Sequence, residues 1–268
     1  MKKFIAPILA MFFMSCQVDT LKTAVNSASA IEALTEYATI NKVFQDVANN
    51  SGDGVLGAES TTTGKFGKTS TDGPIVTIAP LDLTTFPKTI TIDYQTGVLC
   101  EDGITRKGII TIVSTNWYGI EGSEHTTTFN NFYHNDFKVE GTHFVTNLGE
   151  NLDGHLQYSV TIDNGKITTS SGKTISYTEN SIRTWVAGSN TPLNIWDDEY
   201  KLEGTQTGVS SKGIEYSLTI EEPLHFVLLP RSITSGILDI DVANIKDIKL
   251  NYTNSTITIL GQSFPFNF

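Results

Sequence analysis

The chain has 268 residues, with 18 Lys and Arg against 29 Asp and Glu and a formal net charge of −11. Its 39% hydrophobic and 10% aromatic content is enough to bury a substantial core, which excludes a wholly disordered chain. The acidic balance argues against nucleic-acid binding and against electrostatic docking on anionic lipid, because both partners are polyanions.

The first fifteen residues read as a secretory signal. Lys2 and Lys3 supply the basic start, Phe4 to Met14 the short apolar core, and Ser15 a small residue before Cys16. The apolar run is far below the roughly 20 residues a membrane span needs. Phe13 and Met14 stand where lipoprotein signals usually carry Leu and a small residue. Cys16 is the expected lipidation site and first residue of a mature bacterial lipoprotein. Gln17 follows it, with no Asp there to retain the protein in the inner membrane, so an outer-membrane anchor facing periplasm or exterior is expected. Loss of Lys2 and Lys3 leaves 16 basic against 29 acidic residues, a net charge of −13.

Cys16 to Leu56 reads as a lipid-anchored N-terminal helical segment, with the helical pattern from about Thr20 to Asn49. Leu21, Ala24, Val25 and Ala28 recur at three- and four-residue spacing, as do Ile31, Leu34 and Ala38, and Val43, Phe44 and Val47 continue a face. The run Asn49-Asn50-Ser51-Gly52-Asp53-Gly54 reads as the breaker that ends one helix or two short ones. That run lacks the alternating acids and closing Glu of an EF-hand. Gly57 to Gly73 reads as a flexible Gly/Ser/Thr-rich loop.

From Pro74 to Phe268 the chain turns β. Thr89 to Asp93 alternates, and Ile109 to Val113 and Thr126 to Phe132 are strand-like. Tyr158 to Ile162 running into Asp163-Asn164-Gly165 and then Lys166-Ile167-Thr168 predicts a hairpin turning at Asn-Gly. Ser171-Gly172 and Asn254 mark further turns, and Phe264 to Phe268 ends the chain on an apolar strand. Asp136 to Thr142 recurs as Glu199 to Thr205, and Tyr158 to Ile162 as Tyr216 to Ile220, which predicts a two-strand unit used twice. The expected fold is mainly β, a large antiparallel meander with an N-terminal helical segment.

Six short stretches resemble one family. Thr89 to Tyr94, Gly97 to Gly103 and Arg106-Lys107-Gly108, with Lys138 to Thr142, Arg183-Thr184-Trp185 and Trp196 to Tyr200, are similar to a stretch shared by uncharacterised lipoproteins of Bacteroidetes. The resemblance spans about residues 86 to 236, with the signal and helix. It implies an outer-membrane-anchored, all-β build and no known activity. Its pattern ends in a second cysteine, and Asp247 to Thr253 has none, so Cys100 lacks the partner that the resemblance implies. By count alone Cys100 is then the mature chain's sole thiol, read as a small buried hydrophobe in a strand.

Few residues suggest chemistry. No P-loop, dinucleotide fingerprint, G-x-S-x-G or HExxH occurs, so no cofactor is implied. His125, His134 and His143 lie nine apart and read as polar strand positions rather than metal ligands. Glu140, Glu203 and Asp198, with Trp196, are the carboxylates a glycosidase would draw on. Glu140 and Glu203 are repeat equivalents, which fits a structural role better. Trp117, Tyr118, Trp185 and Trp196 form a possible aromatic ligand face. The expected function is a membrane-anchored, non-catalytic binding or structural module whose ligand is glycan, lipid or protein. A secreted glycan hydrolase and a carrier of acyl chains between helix and curved sheet are the alternatives.

Overall fold

The computed structural model describes residues 20–60, 73–82, 84–100, 102–191, 197–228 and 231–265. Cys16, Trp196 and most of the 57–73 segment lie outside them. Helix α1 spans Thr20–Ser60. Fourteen strands follow: β1 (Ile75–Ala79), β2 (Lys88–Asp93), β3 (Val98–Leu99), β4 (Thr105–Ser114), β5 (Glu124–His134), β6 (Phe137–Glu150) and β7 (Leu156–Thr168). Then come β8 (Thr174–Ala187), β9 (Glu199–Val209), β10 (Glu215–Leu228), β11 (Arg231–Val242), β12 (Ile245–Asn251), β13 (Thr256–Ile259) and β14 (Gln262–Pro265). They form one antiparallel sheet in chain order, with the short β3 pairing only with β4. The sheet does not close, and β1 and β14 are its edges.

Alternation along the strands sends one set of side chains to the helix and the other to solvent. Ile90 and Ile92 of β2, Ile110 and Ile112 of β4, Ile162 and Ile167 of β7, and Tyr177 of β8 pack on Ile40, Val43, Phe44, Val47 and Val55 of α1. The start of the helix packs elsewhere: Ala30 and Ala33 meet Tyr216, Leu218, Leu238, Ile240 and Leu250 of β10 to β12. The helix therefore runs across the strands, from the β10–β12 region to β2 and β4, and the sheet's inner face is built around it.

Two expectations about α1 are corrected. The breaker run does not end it: the helix continues through Gly52 and Gly54 to Ser60. Packing outweighs the local cost of two glycines, because Val47, Ser51 and Val55 keep a buried face through that stretch. The packed face of the first half also differs in part from the expected Ile31, Leu34 and Ala38: Leu34 packs against the β10–β12 core, but the fully buried positions lie elsewhere. Ala30, Ala33 and Ile40 are buried, whereas Ala38 is exposed. Small alanines let the helix axis approach β10 to β12.

The Asn164-Gly165 hairpin is also corrected. Strand β7 runs straight through it, paired on both sides of the dipeptide: Thr142 opposite Asp163 and Glu140 opposite Lys166. Asn164 takes a left-handed conformation, with φ of 52°, but the extra residue makes a β-bulge rather than a turn. Equivalent irregularities recur on neighbouring strands, at Gly108 of β4 (φ 83°), Asn131 of β5 (φ 47°), Gly141 of β6 (φ 123°), Gly204 of β9 (φ 130°) and Gly236 of β11 (φ 110°). Together with the register shifts beside them, they make a crease line of bulges across the sheet. The repeated sequence segments fall on β6–β7 and β9–β10, and Gly141 and Gly204 are their shared crease positions.

Cys100 departs from its expectation as well. It follows β3 rather than lying in a strand, and it is half-buried beside the main core, a free thiol.

Candidate functional site

Among the described residues, the sequence-selected aromatics Trp117, Tyr118 and Trp185 do not make one open face. Tyr118, in the connection between β4 and β5, stacks on Tyr158 with centroids 4.9 Å apart and joins Val145, Val160 and Trp185 in a small apolar cluster. Trp185 is 7% exposed, and its indole N–H donates to Asp198 Oδ1 at 3.1 Å. Tyr200 O–H donates to the other carboxylate oxygen at 2.9 Å and stacks on Trp185. Burial raises the Asp198 carboxyl above its ordinary value, with the two donors opposing. Trp117 turns the other way, edge-on to Phe86 at 5.0 Å. The two rings flank the ammonium of Lys88, 5.0 and 5.2 Å from their centroids. Lys88 is fully buried and donates to the carbonyls of Pro80 and Asp82.

The carboxylates are far apart. Glu140 on β6 bonds Lys166 at 2.9 Å and Lys138 at 3.2 Å. Glu203 sits on β9 opposite Ile182, with β7 and β8 lying between it and β6. Three strand steps alone put the two carboxylates about 14 Å apart, beyond the roughly 5–9.5 Å at which paired acids flank a glycosidic bond. Asp198 has both oxygens occupied. Among the described residues no three His, Cys, Asp or Glu side chains converge as a metal site.

The three histidines spaced nine apart are all inward and buried. His125 has Ser114 Oγ at 2.9 Å and Ser123 Oγ at 3.3 Å on its two nitrogens. His134 reaches Asp46 of α1 at 3.2 Å. His143 has no partner on either nitrogen. Burial pushes both His125 and His143 down to about 4, with the charge of Arg183 adding to the effect at His143.

The outer face carries a feature that residue-by-residue reading missed. Cross-strand register aligns Ala79, Thr89, Val113, Thr126, Phe144, Thr161, Asn180, Thr205 and Thr219 in one row over nine strands. Beside it, Thr77, Thr91, Thr111, Thr128 and Thr142 align over five. None of these side chains is charged, and all are exposed or half-buried. Neighbouring threonines in a row are about 4.8 Å apart, and the rows are about 6.7 Å apart. The result is an uncharged belt of hydroxyls and apolar groups on an acidic protein, bordered two residues along the strands by Asp93, Glu124, Asp163, Glu203 and Glu221. A period-two Thr pattern was visible in single strands, but only the register shows that the strands align.

No protein-family model matches the chain, and neither a curated protein nor a solved structure does.

Proposed function

We propose that the chain is a membrane-anchored, non-catalytic lipoprotein of the outer membrane, of the Bacteroidetes kind it resembles, that binds an uncharged glycan on the outer face of its sheet. The carrying observation is the neutral threonine belt. Two aligned rows without charge, on a protein of net charge −11, favour an uncharged partner along them. Its hydroxyls recur at the strand interval, so a polymer with regularly repeated hydroxyl groups meets many donors and acceptors at once. The side-chain methyls offer apolar area between them. Cys16 supplies the anchor, with three residues of sequence between it and Thr20, where the described part of α1 begins.

The acyl-carrier alternative draws no support from the helix–sheet interface. Phe44, Ile40, Val47 and the isoleucines of β2 and β4 fill it, and the small cavity there measures about 20 Å³. Ligand pockets are on the order of 300–1,000 Å³. The hydrolase alternative would need a carboxylate pair other than Glu140 and Glu203.

Retention of the mature chain on insoluble neutral polysaccharides, against acidic ones and phospholipid vesicles, tests the reading. Binding to a neutral polysaccharide, lost at least tenfold in Thr91→Lys/Thr128→Lys at unchanged Tm, is the expected result. Retention only on vesicles or acidic polymers, or binding indifferent to the lysines, overturns it. Fatty-acid labelling that Cys16→Ala abolishes tests the anchor separately.

A further inference from the structure

A small cavity lies where α1 crosses β4, β5 and β6. Ser51 and Val55 of the helix form its roof, and Ile112, His125, Thr127 and His143 form its floor. Two of these groups are out of keeping with a dry apolar gap. His143 is 2% exposed with both ring nitrogens unpartnered, and Ser51 is 4% exposed with its hydroxyl unpartnered. Buried polar atoms without a hydrogen bond cost about 1–3 kcal/mol each, so native interiors seldom keep them.

We propose that this cavity is a hydration site, in which one water molecule bridges His143 of the sheet to Ser51 of the helix. The size fits. The cavity is about 20 Å³, and one water needs roughly 10–15 Å³ when volume is counted this way. The chemistry fits as well: a neutral imidazole offers one donor and one acceptor, and a hydroxyl offers both, so a single water can serve either ring nitrogen together with Ser51 Oγ. His125 does not compete for it, since both of its nitrogens already face serine hydroxyls. The bound water thereby becomes part of the contact holding the C-terminal part of α1 onto the sheet, where side-chain packing alone leaves a gap.

A double-substitution cycle on the full chain, read by thermal unfolding, tests this alongside a high-resolution crystal structure. A bridging water predicts electron density within hydrogen-bond distance of a His143 nitrogen and Ser51 Oγ. It also predicts that Ser51→Ala lowers Tm more in the wild-type background than in His143→Leu, by about 2–4 °C. Helix propensity cancels in that comparison. Should His143→Leu fail to fold, His143→Phe, which keeps a flat ring without the polar nitrogens, takes its place. An empty cavity in the density overturns the proposal, and so does equal behaviour of Ser51→Ala in both backgrounds, which marks two independent orphan groups.

Discussion

Phe44 of α1 stacks on Tyr177 of β8, with ring centroids 5.6 Å apart and planes inclined by 17°. The contact exists because Gly165 on β7 has no side chain. A Cβ there would lie 3.1 Å from Phe44 Cζ and 2.6 Å from the Tyr177 carbonyl oxygen. The bulge at Asn164-Gly165 thus bends the strand and at the same time clears the place where the helix seats. Phe44 is 1% exposed, so Phe44→Ala should cost about 3–5 kcal/mol in urea denaturation. Gly165→Ala adds a single methyl on the sheet yet should destabilise by about 1–3 kcal/mol through overpacking. A loss below about 1 kcal/mol for both would mean that helix and sheet are less tightly joined than this geometry implies.

The two glycines inside α1 should respond in opposite ways. A Cβ at Gly52 meets nothing within 4 Å, so Gly52→Ala should stabilise by about 0.5–1 kcal/mol through helix propensity alone. At Gly54 the same atom would come 2.9 Å from Ile92 Cδ1 and 3.4 Å from Ile112 Cδ1. Displacing those methyls offsets the propensity gain, and Gly54→Ala should be neutral or destabilising. Equal stabilisation by both substitutions, measured by chemical denaturation, would place the helix farther from β2 and β4.

That contrast also marks what sequence could reveal. The β character after Pro74, the antiparallel order and the N-terminal helix were legible, because period-two alternation and three- and four-residue spacing are local signals. The helix end was not. Asn49 to Gly54 carries every local sign of a stop, and the continuation depends on Val47, Ser51 and Val55 finding partners on distant strands. Asn164-Gly165 misled for a related reason: positive φ suits a turn or a bulge, and only pairing with β6 and β8 decides between them. The aromatic set failed as one face because alternation says which side of a strand Trp185 takes, but not that Asp198 and Tyr200 close over it. The threonine belt is a property of register, which no single strand encodes.

The crease gives a sharper test of the backbone. Gly204 has a φ of 130°, and a Cβ on it would lie 2.3 Å from the Asn180 carbonyl oxygen. Both the conformation and the neighbouring backbone oppose any side chain. Gly204→Ala should therefore cost more than about 2 kcal/mol, whereas Asn164→Gly, whose φ of 52° suits glycine equally, should change stability by less than about 1 kcal/mol. Melting temperatures of the two variants check this directly. A tolerant Gly204 would show that the backbone there does not require glycine's conformational freedom.

Acid should loosen the helix–sheet interface through its histidines. Burial holds His125 and His143 at about 4, while an unfolded chain titrates them near 6.5. Between those values the unfolded state binds protons that the folded state refuses, so stability falls as pH drops from about 6.5 to 4 and is fully present above that window. Each residue contributes up to about 3 kcal/mol to that loss. Asp46 extends it to lower pH. Burial pushes its carboxyl up, but the hydrogen bond from His134 and the charge of Lys42 outweigh burial and hold it below its usual value, so its contribution disappears only as pH falls through that lowered value. Asp198 and Asp239 act in the opposite sense. Burial raises both carboxyls, which take up protons more readily folded than unfolded and so offset part of the loss in the lower part of the range. The urea midpoint should accordingly stay level from pH 8 to 7 and then fall steadily to pH 4, with His143→Leu removing about half of the slope. A midpoint that is flat to pH 4.5, or a slope that His143→Leu leaves intact, would show that the ring takes up a proton in the folded protein as readily as in the unfolded chain.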